Sequence, residues 1–334
     1  MKLNEIDGAK FLLISGVVLM HCNLLEDIGS EASVPTVAGF AIEYVSQWLS
    51  SACVPLFFLL SGFLFFRPDD KLTTELYIAK IKSRARSLLV PYLLWNTLFA
   101  IVFLLKTSGL DYESYGTAEN PWRLLYGYWN LADGFPFDFP MWFIRNLIVI
   151  SLLSPVAWWL GRHNIAFAAV LLLFIVSGHD LWGALYFIAG IWLRKHSGIY
   201  RLINRRITAI AGTAVWLGLG LLLMKYGATM PDQVNNSLWC VFIAAALCAF
   251  LAGGRMASFR LKPLVKSTFF IFAWHGLYCR KLRVLLISHL PLTNAGLLTA
   301  YWASFVILML SSAAVYYAAR RFAPRLTSVL TGGR

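Results

Sequence analysis

The residues best placed to do chemistry come early: Asp7, Lys10 and His21 bracket the first apolar run of the chain. Lys10 and His21 are eleven positions apart. That is three helical turns with about 20° left over, so both leave one face roughly 16 Å apart along the axis. Asp7 lies three residues before Lys10 and can pair with it. Between them runs Phe11-Leu-Leu-Ile-Ser-Gly-Val-Val-Leu-Met20, a membrane-like stretch. A titratable imidazole at hydrocarbon depth is costly to hold and ordinarily faces a protein or water-lined interior, where it can accept a proton from a substrate. The plain alternative is an imidazole that hydrogen-bonds a neighbouring helix and nothing more.

Few other charged or imidazole groups sit at such depth: Arg145, His275 and the Arg280/Lys281/Arg283 group. Lys82, Arg84 and Arg86 stand where a basic loop enters the third apolar helix. Lys82 and Arg86 are four apart on one face, while Arg84 points away. With Lys10 they bring two guanidiniums and two amines to one mouth, a set able to clamp a phosphorylated ligand. The same charges also serve as plain topology markers against anionic lipid. Arg145, in Met141-Trp-Phe-Ile-Arg-Asn146, either snorkels to the interface or binds an acidic or hydroxylated group. Trp122, Tyr126, Tyr128 and Trp129 suit either a sugar face or an interfacial belt. His163, His196 and His289 read as solvated, and His179 with Asp180 as a turn pair. Cys22 is about 100° around the helix from His21, so the two do not form a dyad.

The elements that carry these groups are transmembrane helices. Hydrophobic residues make up 59% of the chain and charged residues only 13%, against about 25% charged in soluble domains, and mean hydropathy is +0.67. The runs are too continuous for a barrel of alternating strands. The net charge of +13 falls in short clusters between apolar runs, as the positive-inside rule requires, which argues against a nucleic-acid partner. Five cysteines show neither CxxC nor His pairing, so no disulfide framework and no metal site is expected. The first run carries Asp7, Lys10 and His21 and reads as a retained helix, not a cleaved signal.

The expected architecture is all-α: a polytopic bundle of about ten transmembrane helices with both termini inside, one domain over 1–334 and no fused soluble domain. Its helices are placed at about 10–25, 37–66, 87–105, 140–160, two short ones within 165–193, then 207–224, 238–251, 268–287 and 296–319. The acidic, aromatic stretch 106–139 is expected to cap the outer side.

Five stretches in this order resemble a known family. Asp7-Gly-Ala-Lys10, ten residues and His21 is similar to the first-helix signature of the acyltransferase-3 family of membrane acyltransferases, with Lys10 where that signature has arginine. Val54-Pro-Leu-Phe-Phe-Leu-Leu-Ser-Gly-Phe-Leu64 resembles its second-helix motif. Arg84-Ala-Arg86 with Leu88-Leu-Val-Pro-Tyr92 and Trp95 resembles its third. Met141-Trp-Phe-Ile-Arg145 resembles its fourth, and Ile271-Phe-Ala-Trp-His275 its late helix with a second histidine. The resemblance implies an enzyme that moves an acyl group, usually acetyl, from cytoplasmic acyl-CoA to a hydroxyl of a cell-envelope sugar or lipid-linked glycan. The acyl-CoA is a co-substrate, with no permanently bound cofactor. It assigns His21, Lys10 and Asp7 to catalysis, Lys82, Arg84 and Arg86 to the donor, and Arg145, Trp142 and His275 to substrate binding. His21 would serve as general base or as acyl-accepting nucleophile, its ordinary pKa of about 6.5 leaving a neutral form near pH 7. The implied setting is the bacterial inner membrane, among membrane lipids, with a homo-oligomer left open. A transporter or flippase for a glycolipid or acidic solute is the competing class, since basic residues and short broken helices at membrane depth fit it too.

Overall fold

A computed structural model describes residues 3–28, 34–106, 122–129, 134–178 and 182–333, and the regular structure among these is all helix, with no strand. The helices are α1 (Leu3–His21), α2 (Thr36–Phe65), α3 (Thr74–Val102), α4 (Trp122–Trp129), α5 (Trp142–Leu152), α6 (Ser154–Arg162), α7 (Asn164–Ser177), α8 (Trp182–Lys195), α9 (Ser197–Ile203), α10 (Arg206–Tyr226), α11 (Asp232–Arg260), α12 (Lys262–Lys266), α13 (Thr268–Trp274), α14 (Cys279–His289), α15 (Asn294–Phe322) and α16 (Pro324–Leu330). Starts follow from local chemistry. The Thr73 hydroxyl accepts from the Leu76 N–H at 3.2 Å and caps α3, and the Thr293 hydroxyl does the same for Gly296 and α15.

Six of these helical segments are long and apolar enough to cross a membrane, and α5 with α6 makes a seventh if that bent pair is one span. The count of about ten is therefore not confirmed. Helices α7 and α8, 14 residues each, form the expected short pair but fall below the ~20 residues of a usual span. The His179–Asp180 turn between them lies outside the described residues.

Two helices expected to be continuous are broken. The segment 140–160 bends by 74° between Leu152 and Ser154, because Pro155 in the next turn has no N–H to give and its ring crowds the preceding turn. The segment 268–287 is interrupted by a tighter turn at His275–Leu277, where Gly276 approaches Pro140 too closely for a larger residue to fit without adjustment. That second break sets His275 at a helix end.

Helix α1 runs through the middle, packed on α2, α11, α13 and α15. It meets α11 where Gly8 faces Gly254, and a Cβ on Gly8 would stand 2.0 Å from the Gly254 carbonyl oxygen. Helices α2 and α8 meet through another pair: a Cβ on Gly62 would lie 1.9 Å from the Phe187 oxygen, and one on Gly190 2.0 Å from the Leu59 oxygen. Small residues let helix backbones approach where no water drives them together. Gly190→Ala is therefore expected to push α8 off α2 and cost about 1–3 kcal/mol, read as a lowered midpoint of thermal unfolding in detergent.

Candidate active site

His21 is the last residue of α1, and its half-buried ring sits among aromatic groups from two other segments. The Phe139 ring meets it edge-on at 5.5 Å between centroids and 87° between planes, and the His275 ring lies 5.1 Å away, tilted by 46°. His275 is fully buried. Its Nδ1 is 3.0 Å from the Ile271 carbonyl, which can only accept, so Nδ1 carries the proton and Nε2 holds a lone pair. That Nε2 is buried without a hydrogen-bond partner among the described residues.

The turn after α1 doubles back on the site. The Asn23 side chain accepts the Leu25 N–H at 3.1 Å, forming a local bridge of the Asx type, and Asp27 is delivered to α14. Its carboxylate is 2.7 Å from Arg283 Nε and 3.4 Å from Arg280 Nε. The first contact is an ion pair more than an aligned hydrogen bond.

Two cavities open onto His21. The larger, of about 940 Å³, extends along α1 from His21, Glu26 and Arg283 at one end to Asp7, Lys10, Arg84, Lys266 and Arg320 at the other. Its middle is apolar, with Val17, Phe57, Leu60, Trp142, Phe143 and Phe272 on the wall. The volume lies near the upper end of ordinary small-molecule sites. The smaller, of about 650 Å³, is lined by His21, Glu26, Phe99, Phe137, Phe139, Arg280 and Arg283, among others. His21, Glu26, Phe139, Pro140 and Arg283 belong to both. The ring of His21 thus stands at a junction.

The structure brings together some of the residues singled out from the sequence and separates others. Asp7, Lys10, His21, Arg84 and Trp142 line the larger cavity, and Lys10 Nζ is 3.3 Å from Asp7 Oδ1. Arg84, read as pointing away, is the member of its group that turns inward, its guanidinium 4.9 Å over the Phe65 ring. Lys82 and Arg86 are exposed and line neither cavity. One side of α3 must face in, and Leu88, four residues after Arg84 and buried, shows which. Arg145 is buried and also lines neither cavity. It donates from Nη1 to the Trp129 carbonyl at 2.8 Å and from Nη2 to the Gly134 carbonyl at 3.1 Å, so it holds the segment before α5 in place. His275 touches His21 instead of the cavity walls.

Three charged cavity residues escaped the sequence reading, Glu26, Lys266 and Arg320, while Arg283 was singled out with its group but given no role. Arg320 carried a usable signal, since Met309, Ala313 and Tyr316 form a buried stripe on α15 that reaches Arg320 at helical spacing, and its Nη1 meets the Tyr316 hydroxyl at 3.3 Å.

A junction of two cavities at an imidazole is an arrangement that a two-substrate transfer can use, and the comparisons show the family. Residues 3–321 match the model of the Acyl_transf_3 family, described as an acyltransferase domain. The succinoglycan biosynthesis protein ExoH of Rhizobium meliloti (strain 1021) is 24% identical over 351 residues, covering 99% of this chain and 92% of that protein. No solved structure matches. With the family model spanning nearly the whole chain and the helices apolar enough to cross a bilayer, the chain belongs to the acyltransferase-3 family of integral membrane acyltransferases.

Proposed function

We propose that this protein moves an acyl group, acetyl in the simplest case, from acyl-CoA on the cytoplasmic side to a hydroxyl of a cell-envelope or exported polysaccharide, in the cytoplasmic membrane of a bacterium. The observation that carries the reading is that His21 lines both cavities. The end of the larger cavity that holds Lys10, Arg84, Lys266 and Arg320 adjoins the basic segments around 67–86, 255–266 and 320–325, which the positive-inside rule puts in the cytoplasm. Cationic groups there suit the phosphates of CoA, and the apolar middle suits its pantetheine arm and acyl group. The smaller cavity then faces outward. Glu26, Arg280 and the rings of Phe137 and Phe139 offer a saccharide a carboxylate, a guanidinium and apolar faces. Succinoglycan in the name of the relative is a polysaccharide, which supports an acceptor of that class.

In this reading the acceptor hydroxyl attacks the thioester carbonyl while His21 takes its proton. The C–O bond forms, the C–S bond breaks, and the proton passes to the departing thiolate. His275 stabilises the imidazolium that forms: its ring centroid is 5.1 Å from that of His21, and its Nε2 is a buried acceptor left without a partner among the described residues. His275→Phe keeps a ring and removes the lone pair; kcat is expected to fall about 10–100-fold with KM for acetyl-CoA nearly unchanged.

The test is a proteoliposome assay with radiolabelled acetyl-CoA outside and an envelope glycan extract as acceptor. Label appearing in glycan only with the protein present supports the reading. Label staying in acetyl-CoA with every glycan fraction overturns it.

A further inference from the structure

Helix α1 ends on the residue that stands at the junction, and its last carbonyls have no partner within the helix. Two are taken from outside. The Tyr301 hydroxyl of α15 donates to the Leu19 carbonyl at 3.3 Å. The His21 carbonyl itself accepts from Arg283 Nη1 and, at 3.1 Å, from the Cys279 thiol, both on α14. Arg283 reaches it with its side chain only 10% exposed, and Asp27, 5% exposed, closes on Arg283 Nε from the turn that follows α1. A guanidinium can serve both because its donors form a rigid fork. The cation also stands at the negative end of the α1 dipole, where positive charge is favoured. The result is a loop of contacts running from the His21 main chain to Arg283, to Asp27, and back along residues 22–27 to His21.

We propose that Asp27 and Arg283 are positioning residues for the transfer: they fix the main chain at His21, and through it the place of the imidazole between donor and acceptor. The inference rests on the acyl-transfer reading for its kinetic consequence, though not for its structural one. Arg280, on the neighbouring turn, is 3.4 Å from the other Asp27 oxygen but 85% exposed, so solvent screens it and it adds little to the fixing. Misplacing a reacting group by about 1 Å can cost about 100-fold in rate while leaving substrate binding intact. The donor phosphates bind at the far end of the larger cavity, so KM for acetyl-CoA is not expected to follow.

The experiment uses Arg283→Gln, Arg283→Lys, Asp27→Asn and the double variant Arg283→Gln/Asp27→Asn, each in the full-length protein checked for folding by thermal unfolding. With Arg283→Gln, kcat is expected to fall about 30–100-fold with KM for acetyl-CoA within about twofold. Arg283→Lys keeps the charge without the fork and should fall between that variant and wild type. Asp27→Asn should lower kcat several-fold, and the double variant should be no slower than Arg283→Gln alone, because both act through one contact. In parallel, carbethoxylation of His21 by diethyl pyrocarbonate is followed by peptide mass spectrometry with no substrate present, and its rate should shift in the same three single variants. Wild-type kcat and wild-type labelling in Arg283→Gln would overturn the proposal, as would multiplicative losses in the double variant. Should no form transfer acetyl to glycan, the functional reading fails, and the labelling rates still decide whether Arg283 fixes His21.

Discussion

Replacing His21 with alanine or glutamine is expected to lower acyl transfer by at least about 100-fold, the bottom of the range for losing a positioned general base, while radiolabelled acetyl-CoA still binds with nearly wild-type affinity. The split follows from where the ring sits. It occupies the junction of the two cavities, at the opposite end of the larger one from Lys10, Arg84, Lys266 and Arg320, so in the proposed reaction it would meet the reacting atoms and not the donor phosphates. The same variants separate the two ways an imidazole can act. If His21 only removes the acceptor proton, wild-type protein given acetyl-CoA alone stays unlabelled after denaturation. If it attacks the thioester first, about one acetyl per chain is trapped on His21 under those conditions. The His21→Ala protein also has room for a substitute, and added imidazole should recover part of the lost rate. A variant that transfers at the wild-type rate removes His21 from the chemistry.

How far the sequence revealed this site depended on what kind of information each residue carried. Asp7, Lys10 and His21 lie within one helix, so spacing alone placed them on one side, and the structure sets all three on the wall of one cavity. Helix class was equally plain, because apolar runs of this length admit few alternatives. Breaks were not. Pro155 and Gly276 each stand inside an apolar stretch long enough to read as one span, and composition is blind to a 74° bend. The facing of α3 was half legible: spacing sets Lys82 and Arg86 on one face and Arg84 on another, but not that Arg84 is the one that turns inward, since a charged segment offers no apolar stripe to tell inside from outside. Residues contributed from far along the chain were least legible. Arg283 and Asp27 are 256 positions apart by number and meet at 2.7 Å; only α14 folding back against the end of α1 reveals that the charge on it has a carboxylate to meet. Lys266 and Arg320 look like ordinary helix-end charges until α1 and α3 place Lys10 and Arg84 on the same wall.

That shared wall leads to the second large effect. Removing two of its inward cations together, as in Arg84→Ala/Lys266→Ala or Arg84→Ala/Arg320→Ala, is expected to raise KM for acetyl-CoA by about tenfold or more, since a charge-assisted contact to phosphate is worth about 1.5–3 kcal/mol before the discount that partial exposure imposes. Lys266 and Arg320 are exposed and Arg84 is half-buried, so Arg84 should contribute most per residue, and the pairs should lose more as ionic strength falls and screening weakens. The control is a donor without phosphates, the acetyl thioester of N-acetylcysteamine. Its transfer should be slow with wild-type protein and no slower with the paired variants, because the carbonyl still reaches His21 through the apolar middle of the cavity. Lys82→Ala/Arg86→Ala changes the same net charge on the same side of the protein but off the cavity wall, and KM for acetyl-CoA should stay within about twofold. Equal losses in that pair and in Arg84→Ala/Lys266→Ala would mean that the cations act as a diffuse field at the membrane surface. Equal losses with both donors would mean that they hold the protein together. Only a loss confined to the phosphate-bearing donor and to the inward cations matches a cavity built to take CoA at one end and deliver its acyl group at the other.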